Sequence, residues 1–491
     1  MKKIVLTGIA LTGLSTLAEQ KPDILFMLSD DHTAQSIGCF GTIFEKYNPT
    51  PNLDKLAEDG VKFVNTFVNN SICAPSRAAI LTGKYSHKNG VRAWEEFDGS
   101  QQTFPKLLQQ AGYYTVLIGK WHLKSDPTGF DEWTVLPGQG EYFDPKFLDA
   151  KHAIKNPIQE KGYVSEIITR MAEKAIRNRP KNKPLAIFVN HKSVHTPFLC
   201  DPRDKAWLEG ETLPEPSTLR DTWKGRPAIA TAHNKVPNIE MLHKSFDENG
   251  IKRKGRERFS DPVEKDMTKQ EQNVYRYQYY LKSYLRTAKS IDRSMGELRQ
   301  VLADEKMADN TVVVYMADQG FYLGEHGMSD KRWAYEESLR TPLIIKYPGG
   351  LKAATVDAFA MNIDIAPTLL SLAGVKVPVD MQGRNLTPFL TGNVPAEWRD
   401  CVYYRYYDSK GYNIPQHQAV RTDTCKLIYF PVADRYELFD LKADPHEMNN
   451  LADNPEYREM LQTMKAKLTA AKKEVDDTDE DIYSVVGTGG E

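Results

Sequence analysis

The sequence predicts an α/β protein: a parallel sheet between helices, followed by a small antiparallel sheet with a helix packed on it. Two observations predict this. Four runs, "DILFML" from Asp23, "YTVLIG" from Tyr114, "PLAIFVN" from Pro184 and "TVVVYMA" from Thr311, are continuously apolar, as a strand covered on both faces must be, and helical patterns lie between them. Near the C-terminus, "RDCVYYRYYD", "HQAVRTDTCKLIYF" and "RYELFDL" alternate instead and carry aromatic and β-branched residues, the pattern of an antiparallel sheet.

The elements follow in chain order. "MKKIVLTGIALTGLSTLAEQ" has two lysines, a short apolar stretch and a small-x-small pattern at Thr16-Leu17-Ala18, so residues 1–18 read as a secretory signal and the protein as exported, periplasmic or secreted. A better strand starts at Ile24, which leaves that segment without a packing role. In "NSICAPSRAAILTG", Pro75 suits the first turn of a helix and Gly83 its stop, which puts Cys73 at a helix N-terminus with Arg77 one turn on. From about Cys200 to Lys269 the text is rich in Pro, Lys, Asp and Glu without periodicity, as in long surface excursions. Leu281, Tyr284, Leu285, Ala288, Ile291, Met295, Leu298 and Leu302 then recur at helical spacing, a core-packing stripe. A closing helix is expected over about Pro455 to Ala471, before an acidic tail. The expected division is a large unit over 19–385 and a smaller one over 386–491.

Charge and cysteine usage narrow the function. With 64 Lys and Arg against 66 Asp and Glu, the net charge of −2 gives no field for nucleic acid or an anionic membrane, so an anionic substrate needs a local basic site. No apolar run after the N-terminal segment is long enough to span a bilayer. Five cysteines, at 39, 73, 200, 401 and 425, are too few and scattered for a disulfide framework, and no CxxC spacing suggests zinc.

The four apolar runs share one property: their carboxyl ends deliver chemistry. They lead to Ser29-Asp30-Asp31, to Lys120-Trp121-His122, to His191 and His195, and to Asp318-Gln319. In parallel sheets ligands bind at that edge. Asp30, Asp31, Asp318 and the Gln319 amide oxygen are hard oxygen donors, suited to calcium or magnesium rather than zinc. Arg77, Lys120, His122, His195 and Lys331 form a cationic group. A divalent cation ringed by such residues describes a site for a charged oxyanion ester. His32, His191 and His326 read as locally satisfied structural histidines.

"CAPSRAAILTG" resembles the signature of the type I sulfatases, matching at Cys73, Pro75, Ser76, Arg77, Leu81, Thr82 and Gly83. "ILFMLSDDH", "GYYTVLIGKWH", "VHTP", "YMADQGFYLGEHG" and "YELFDLKADPHEMNNLA" extend the resemblance over nearly the whole chain. It implies an alkaline phosphatase-like fold, with a large mixed, mostly parallel sheet sandwiched by helices. It implies that a maturation enzyme oxidises Cys73 to formylglycine, whose hydrate attacks sulfur and then expels sulfate. It also implies a calcium, with magnesium as the other option, held by Asp30, Asp31, Asp318, Gln319 and the modified Cys73. Gln319 stands where asparagine is commoner. By the same resemblance Arg77 steadies the hydrate, His122 is the base for sulfate release, Lys120 and Lys331 hold sulfate oxygens, and His195 protonates the leaving oxygen.

Substrate choice is expected from the C-terminal sheet, where Arg405, Tyr406, His417 and Arg421 offer aromatic surface and donors to a sugar. Arg405 and His417 are the candidate substrate-binding residues, and the expected substrate is a sulfated saccharide, with GlcNAc-6-sulfate leading. Three readings stay open beside it: an arylsulfatase or a phosphonate or phosphodiester hydrolase of the same superfamily; a two-zinc phosphatase, which would need Ser or Thr at position 73; and a glycan-binding protein that has lost catalysis.

Overall fold

The computed structural model describes residues 21–226, 228, 267–408 and 414–479. The segment read as a signal, residues 1–18, lies outside them, as does the acidic tail from residue 480.

A ten-stranded sheet runs through the large unit in the order Ala354–Val356, Val61–Phe63, Leu343–Lys346, Thr311–Ala317, Asp23–Ser29, Leu185–Asn190, Tyr114–Lys120, Glu132–Leu136, Lys146–Asp149, Ile158–Gln159. The five strands from Thr311–Ala317 to Glu132–Leu136 are mutually parallel. Leu343–Lys346 and Lys146–Asp149 flank them in the antiparallel sense, so the sheet is mixed and mostly parallel.

Each apolar run is divided by its pleat between two cores. Ile24, Phe26 and Leu28 face one side with Val312, Val314 and Met316, against the helices Cys73–Thr82, Phe104–Gln110 and Ile365–Leu372. Leu25, Met27, Val313 and Tyr315 face the other, against Pro51–Glu58, Val164–Asn178 and Lys269–Asp304. A period of two inside a continuous hydrophobic run is what a strand covered on both faces requires.

The helix Lys269–Asp304 carries the stripe the sequence predicts, with every stripe residue buried. Thr268 and Glu271 close its N-terminus as a reciprocal capping box. The described part of the segment after Cys200 is less open than expected, since Leu208, Leu213 and Leu219 are buried among the tyrosines of this helix.

The C-terminal sheet pairs Cys401–Tyr406, His417–Thr422, Cys425–Phe430 and Arg435–Asp440 as consecutive antiparallel neighbours. Both of its faces are covered. Met464, Leu468 and Ala471 of the helix Arg458–Glu474 join the same core as Phe67, Ile72, Trp333, Tyr335 and Leu339 of the large unit.

Candidate active site

The carboxyl ends of the central strands open at one edge of the sheet, and the helix Cys73–Thr82 points its N-terminus at them. All ten residues of that helix are buried, and Gly83 ends it at φ 66°, a left-handed conformation that glycine adopts without strain. Ligand atoms of Asp30, Asp31, Cys73 and Asp318 all lie within 4.8 Å of one another. The backbone is held as firmly as the side chains. The Asp31 N–H donates to Asp318 Oδ1 at 3.1 Å, and Tyr284 of the long helix donates its hydroxyl to the Asp31 carbonyl at 2.6 Å.

The cations interleave with these acids. Lys120, sealed from solvent, pairs with Asp30. Lys331 Nζ is 2.5 Å from Asp31 Oδ1 and 3.1 Å from Cys73 Sγ. His195 Nε2 is 4.0 Å from Asp31 Oδ2, and the ring is anchored by Nδ1, which donates to the Thr196 carbonyl at 2.9 Å. His122 sits at φ 58° with its Nδ1 buried and without a hydrogen-bond partner among the described residues. Asp31, Asp330 and Arg332 are also non-glycine residues at positive φ, so the segments that present the acids and Lys331 hold sparsely populated backbone conformations.

Burial and charge set the protonation of these groups. Burial works against ionisation of Asp30, but the charges of Lys120 first, and then of Arg77 and Lys331, hold it well below the usual carboxylate range. Burial raises Asp31, with Lys331 opposing and Asp30 assisting. Burial and the Asp30 charge push Asp318 to about 7 against the pull of Arg77. Both His122 and His195 are depressed by burial and then by Lys120, so each imidazole is neutral at neutral pH. With Nδ1 of His195 carrying the proton to Thr196, Nε2 is the atom open to exchange.

The donor set fits a hard divalent cation. Three carboxylates converge, and Gln319 Oε1 is buried without a hydrogen-bond partner beside them. Its Nε2 stands 2.5 Å from Asp31 Oδ1. Half a turn of that amide exchanges the two atoms and brings an oxygen donor in next to Asp31.

Position 73 fits an oxidised residue better than a working thiol. Burial and the Asp30 carboxylate push the Cys73 thiol up, away from the thiolate a cysteine nucleophile needs. A weakly hydrogen-bonding sulfur is ringed by Asp30 Oδ1 at 3.2 Å, Lys331 Nζ at 3.1 Å and Gln319 Nε2 at 3.5 Å, partners better matched to oxygen. None of the five cysteines is in a disulfide.

The three histidines read as structural each have a local partner. His32 meets the Tyr315 hydroxyl, His191 Nε2 lies 3.0 Å from Ser294 Oγ, and His326 Nδ1 lies 2.9 Å from Asp221 Oδ2.

The candidate saccharide residues are corrected. Arg405 is buried in an ion pair with Asp477 and lies over the Tyr407 ring. His417 is wholly enclosed, stacked between Trp333 and Tyr406 at 5.6 and 5.3 Å, with Nδ1 on the Pro415 carbonyl. Tyr406 and Arg421 are buried too. With a helix on one face of the C-terminal sheet and the large unit on the other, these side chains are interior packing and offer no surface to a sugar.

Two contributors lie outside the motifs. Asn190, at the end of its strand, donates to the Lys120 carbonyl at 3.2 Å, and Gln139 accepts from Lys120 Nζ.

Comparison with known proteins adds a lineage to this geometry. The sulfatase family model matches residues 22–375, and the model of the N-sulphoglucosamine sulphohydrolase C-terminal region matches 324–474. An N-acetylglucosamine-6-O-sulfatase of Bacteroides thetaiotaomicron is 39% identical, over 95% of this chain and 89% of its own. A solved structure of a protein in complex with its substrate D-glucosamine-2-N,6-O-disulfate superposes with a TM-score of 0.85 at 38% identity, over 95% of this chain and all of that one. A phosphonate monoester hydrolase from Silicibacter pomeroyi shares the fold, with a TM-score of 0.73 at 21% identity over 94% of this chain and 97% of its own.

Proposed function

The chain belongs to the sulfatase family, and from that premise we propose that it hydrolyses the 6-O-sulfate ester of N-acetylglucosamine, or of a closely related glucosamine unit in a glycan. The observation that carries this reading is the 39% identity to the N-acetylglucosamine-6-O-sulfatase, which runs through both the large unit and the C-terminal sheet.

The catalytic roles are part of the same proposal. Formylglycine at position 73 would supply a nucleophilic hydroxyl and a second hydroxyl for sulfate release, and calcium or magnesium held by Asp30, Asp31, Asp318 and Gln319 would supply Lewis acidity. The side chains around them do the rest. Arg77 fixes Asp318 from behind. Lys120 and Lys331 present ammonium charge to the sulfate oxygens in a site closed to bulk water, where it counts for more. His122, neutral and with a free ring nitrogen, accepts the proton that allows sulfate to leave. His195 turns Nε2 toward the departing sugar oxygen; that nitrogen takes up a proton first, making the ring an imidazolium, and then delivers it to the oxygen, while the Thr196 carbonyl holds Nδ1–H and keeps the ring in register.

Export by way of residues 1–18 and a maturation enzyme acting on Cys73 complete the reading. No helix among the described residues is long and apolar enough to cross a membrane.

The test is sulfate release from GlcNAc-6-sulfate, from a 4-sulfated hexosamine and from an aryl sulfate, with alcohol release from a phosphonate monoester in parallel. Turnover of the 6-sulfate well above the others is expected. Phosphonate turnover with none of the sulfated sugars would overturn the substrate assignment.

A further inference from the structure

A fifth parallel strand also delivers a side chain to the site. Glu132–Leu136 runs alongside Tyr114–Lys120 with Leu136 opposite Lys120, so its carboxyl end opens at the same edge. It continues as Pro137-Gly138-Gln139-Gly140, a turn closed by the Gly140 N–H on the Pro137 carbonyl at 3.0 Å. Gly138 and Gly140 stand at φ 54° and 69°, and a Cβ at Gly140 would come within 2.8 Å of Leu136 Cδ1. Both flanking positions therefore favour glycine, and the side chain between them is aimed by the turn.

The Gln139 amide oxygen accepts from Lys120 Nζ, whose other hydrogen-bond acceptor among the described residues is Asp30 Oδ2. An ammonium has three N–H groups. Two are directed by these acceptors, which leaves one for a bound oxyanion. The chemistry of the second acceptor matters. Asp30 already neutralises the lysine once, and an amide oxygen orients the ammonium without adding a second negative charge beside an incoming sulfate.

We propose that Gln139 is a positioning residue for Lys120, holding the ammonium with a neutral acceptor so that its charge stays available to the sulfate group. This rests on the proposed role of Lys120 in sulfate binding.

The test compares Gln139→Met, which keeps length without an acceptor, with Gln139→Glu, which keeps shape but adds charge. Both are followed by melting temperature, by kcat and KM on GlcNAc-6-sulfate, and by calorimetric affinity for inorganic sulfate. The expected kcat/KM loss is about tenfold for Met and about a hundredfold for Glu, with sulfate affinity falling in the same order and melting unchanged. A purely structural role predicts that Glu, the closer isostere, is the milder change; that order, or wild-type behaviour of both variants, overturns the proposal. If the wild-type protein releases sulfate from no sulfated sugar while the sulfate affinities keep the expected order, the substrate reading fails and the role of Gln139 stands.

Discussion

Arg77 donates through Nε to Asp318 Oδ2 at 2.9 Å, with Nη2 in ionic contact with the same oxygen at 2.9 Å, while its Nη1 donates to the Lys120 carbonyl at 2.8 Å. One guanidinium thus ties the Cys73 helix to the carboxyl ends of two strands. Both partners are sealed from solvent, so removing one strands the other. Arg77→Ala is expected to cost about 3–5 kcal/mol in urea denaturation, and Arg77→Lys, which keeps the charge but not the fork, less. A loss for Arg77→Ala no greater than that of an exposed pair, about 1 kcal/mol or under, would show that the clamp carries no such weight.

Calcium should stabilise the fold, not only the reaction. Asp30, Asp31 and Asp318 are crowded enough that burial and mutual charge raise two of them, and a divalent cation relieves that repulsion. Chelation is expected to lower the melting temperature and calcium to restore it. At free calcium about 100 times the dissociation constant the gain is about 2.7 kcal/mol. Asp31→Asn should abolish the calcium-dependent shift. A shift produced by zinc and not by calcium would contradict the oxygen-donor assignment.

Stability should also fall in mild alkali, for a reason at the junction with the C-terminal sheet. Burial disfavours charge on His326, but Asp221 and Glu337 override it and raise the ring to about 9. A raised histidine contributes its full stability below the unfolded value near 6.5, and loses it as pH climbs from there through about 9. The window spans about 3 kcal/mol at one unit per 1.36 kcal/mol. Denaturation midpoints at pH 6 and pH 9.5 measure it, and His326→Gln should flatten the difference. An unchanged pH dependence in that variant would move the effect to another group.

Much of the site was legible because burial on both faces forces a strand into an unbroken apolar run, and where such a run stops, the next side chains stand at the ligand-binding edge. Asp30, Lys120 and Asp318 were found that way, and the Cys73 segment by its signature. Gln139 was not, because its strand, "EWTVL", is exposed and polar at its start and gives no such run. The failure at Arg405 and His417 has a different origin. Alternation reveals an antiparallel sheet but not whether its second face is open, and here Trp333 and the helix Arg458–Glu474 close both. Aromatic and cationic side chains that compose well as a sugar-binding rim compose equally well as a core with buried ion pairs and stacked rings.

Cys73 should differ from every other cysteine. In a host whose maturation system accepts only cysteine, Cys73→Ser is expected to abolish turnover, since a lone hydroxyl has no geminal partner to release sulfate. Cys200→Ser should retain it. The peptide mass at position 73 checks the conversion directly, and active wild-type protein carrying unmodified cysteine would sink the assignment.

The sharpest division of labour concerns His195. If its Nε2 protonates the leaving oxygen, its value depends on how badly that oxygen needs a proton. A sugar alkoxide is a poor leaving group and should lose on the order of 10²–10⁴ in kcat in His195→Ala, the usual range for a general acid. A nitrophenolate departs without help, so an aryl sulfate should lose far less in the same variant. His122→Ala should behave differently, because a base that releases sulfate from the enzyme acts after the alcohol has gone, and both substrates then suffer alike. Steady-state kinetics of the two variants on GlcNAc-6-sulfate and on a nitrophenyl sulfate separate these cases. Equal losses on both substrates in His195→Ala would return that residue to sulfate binding or to folding, and leave the proton for another group.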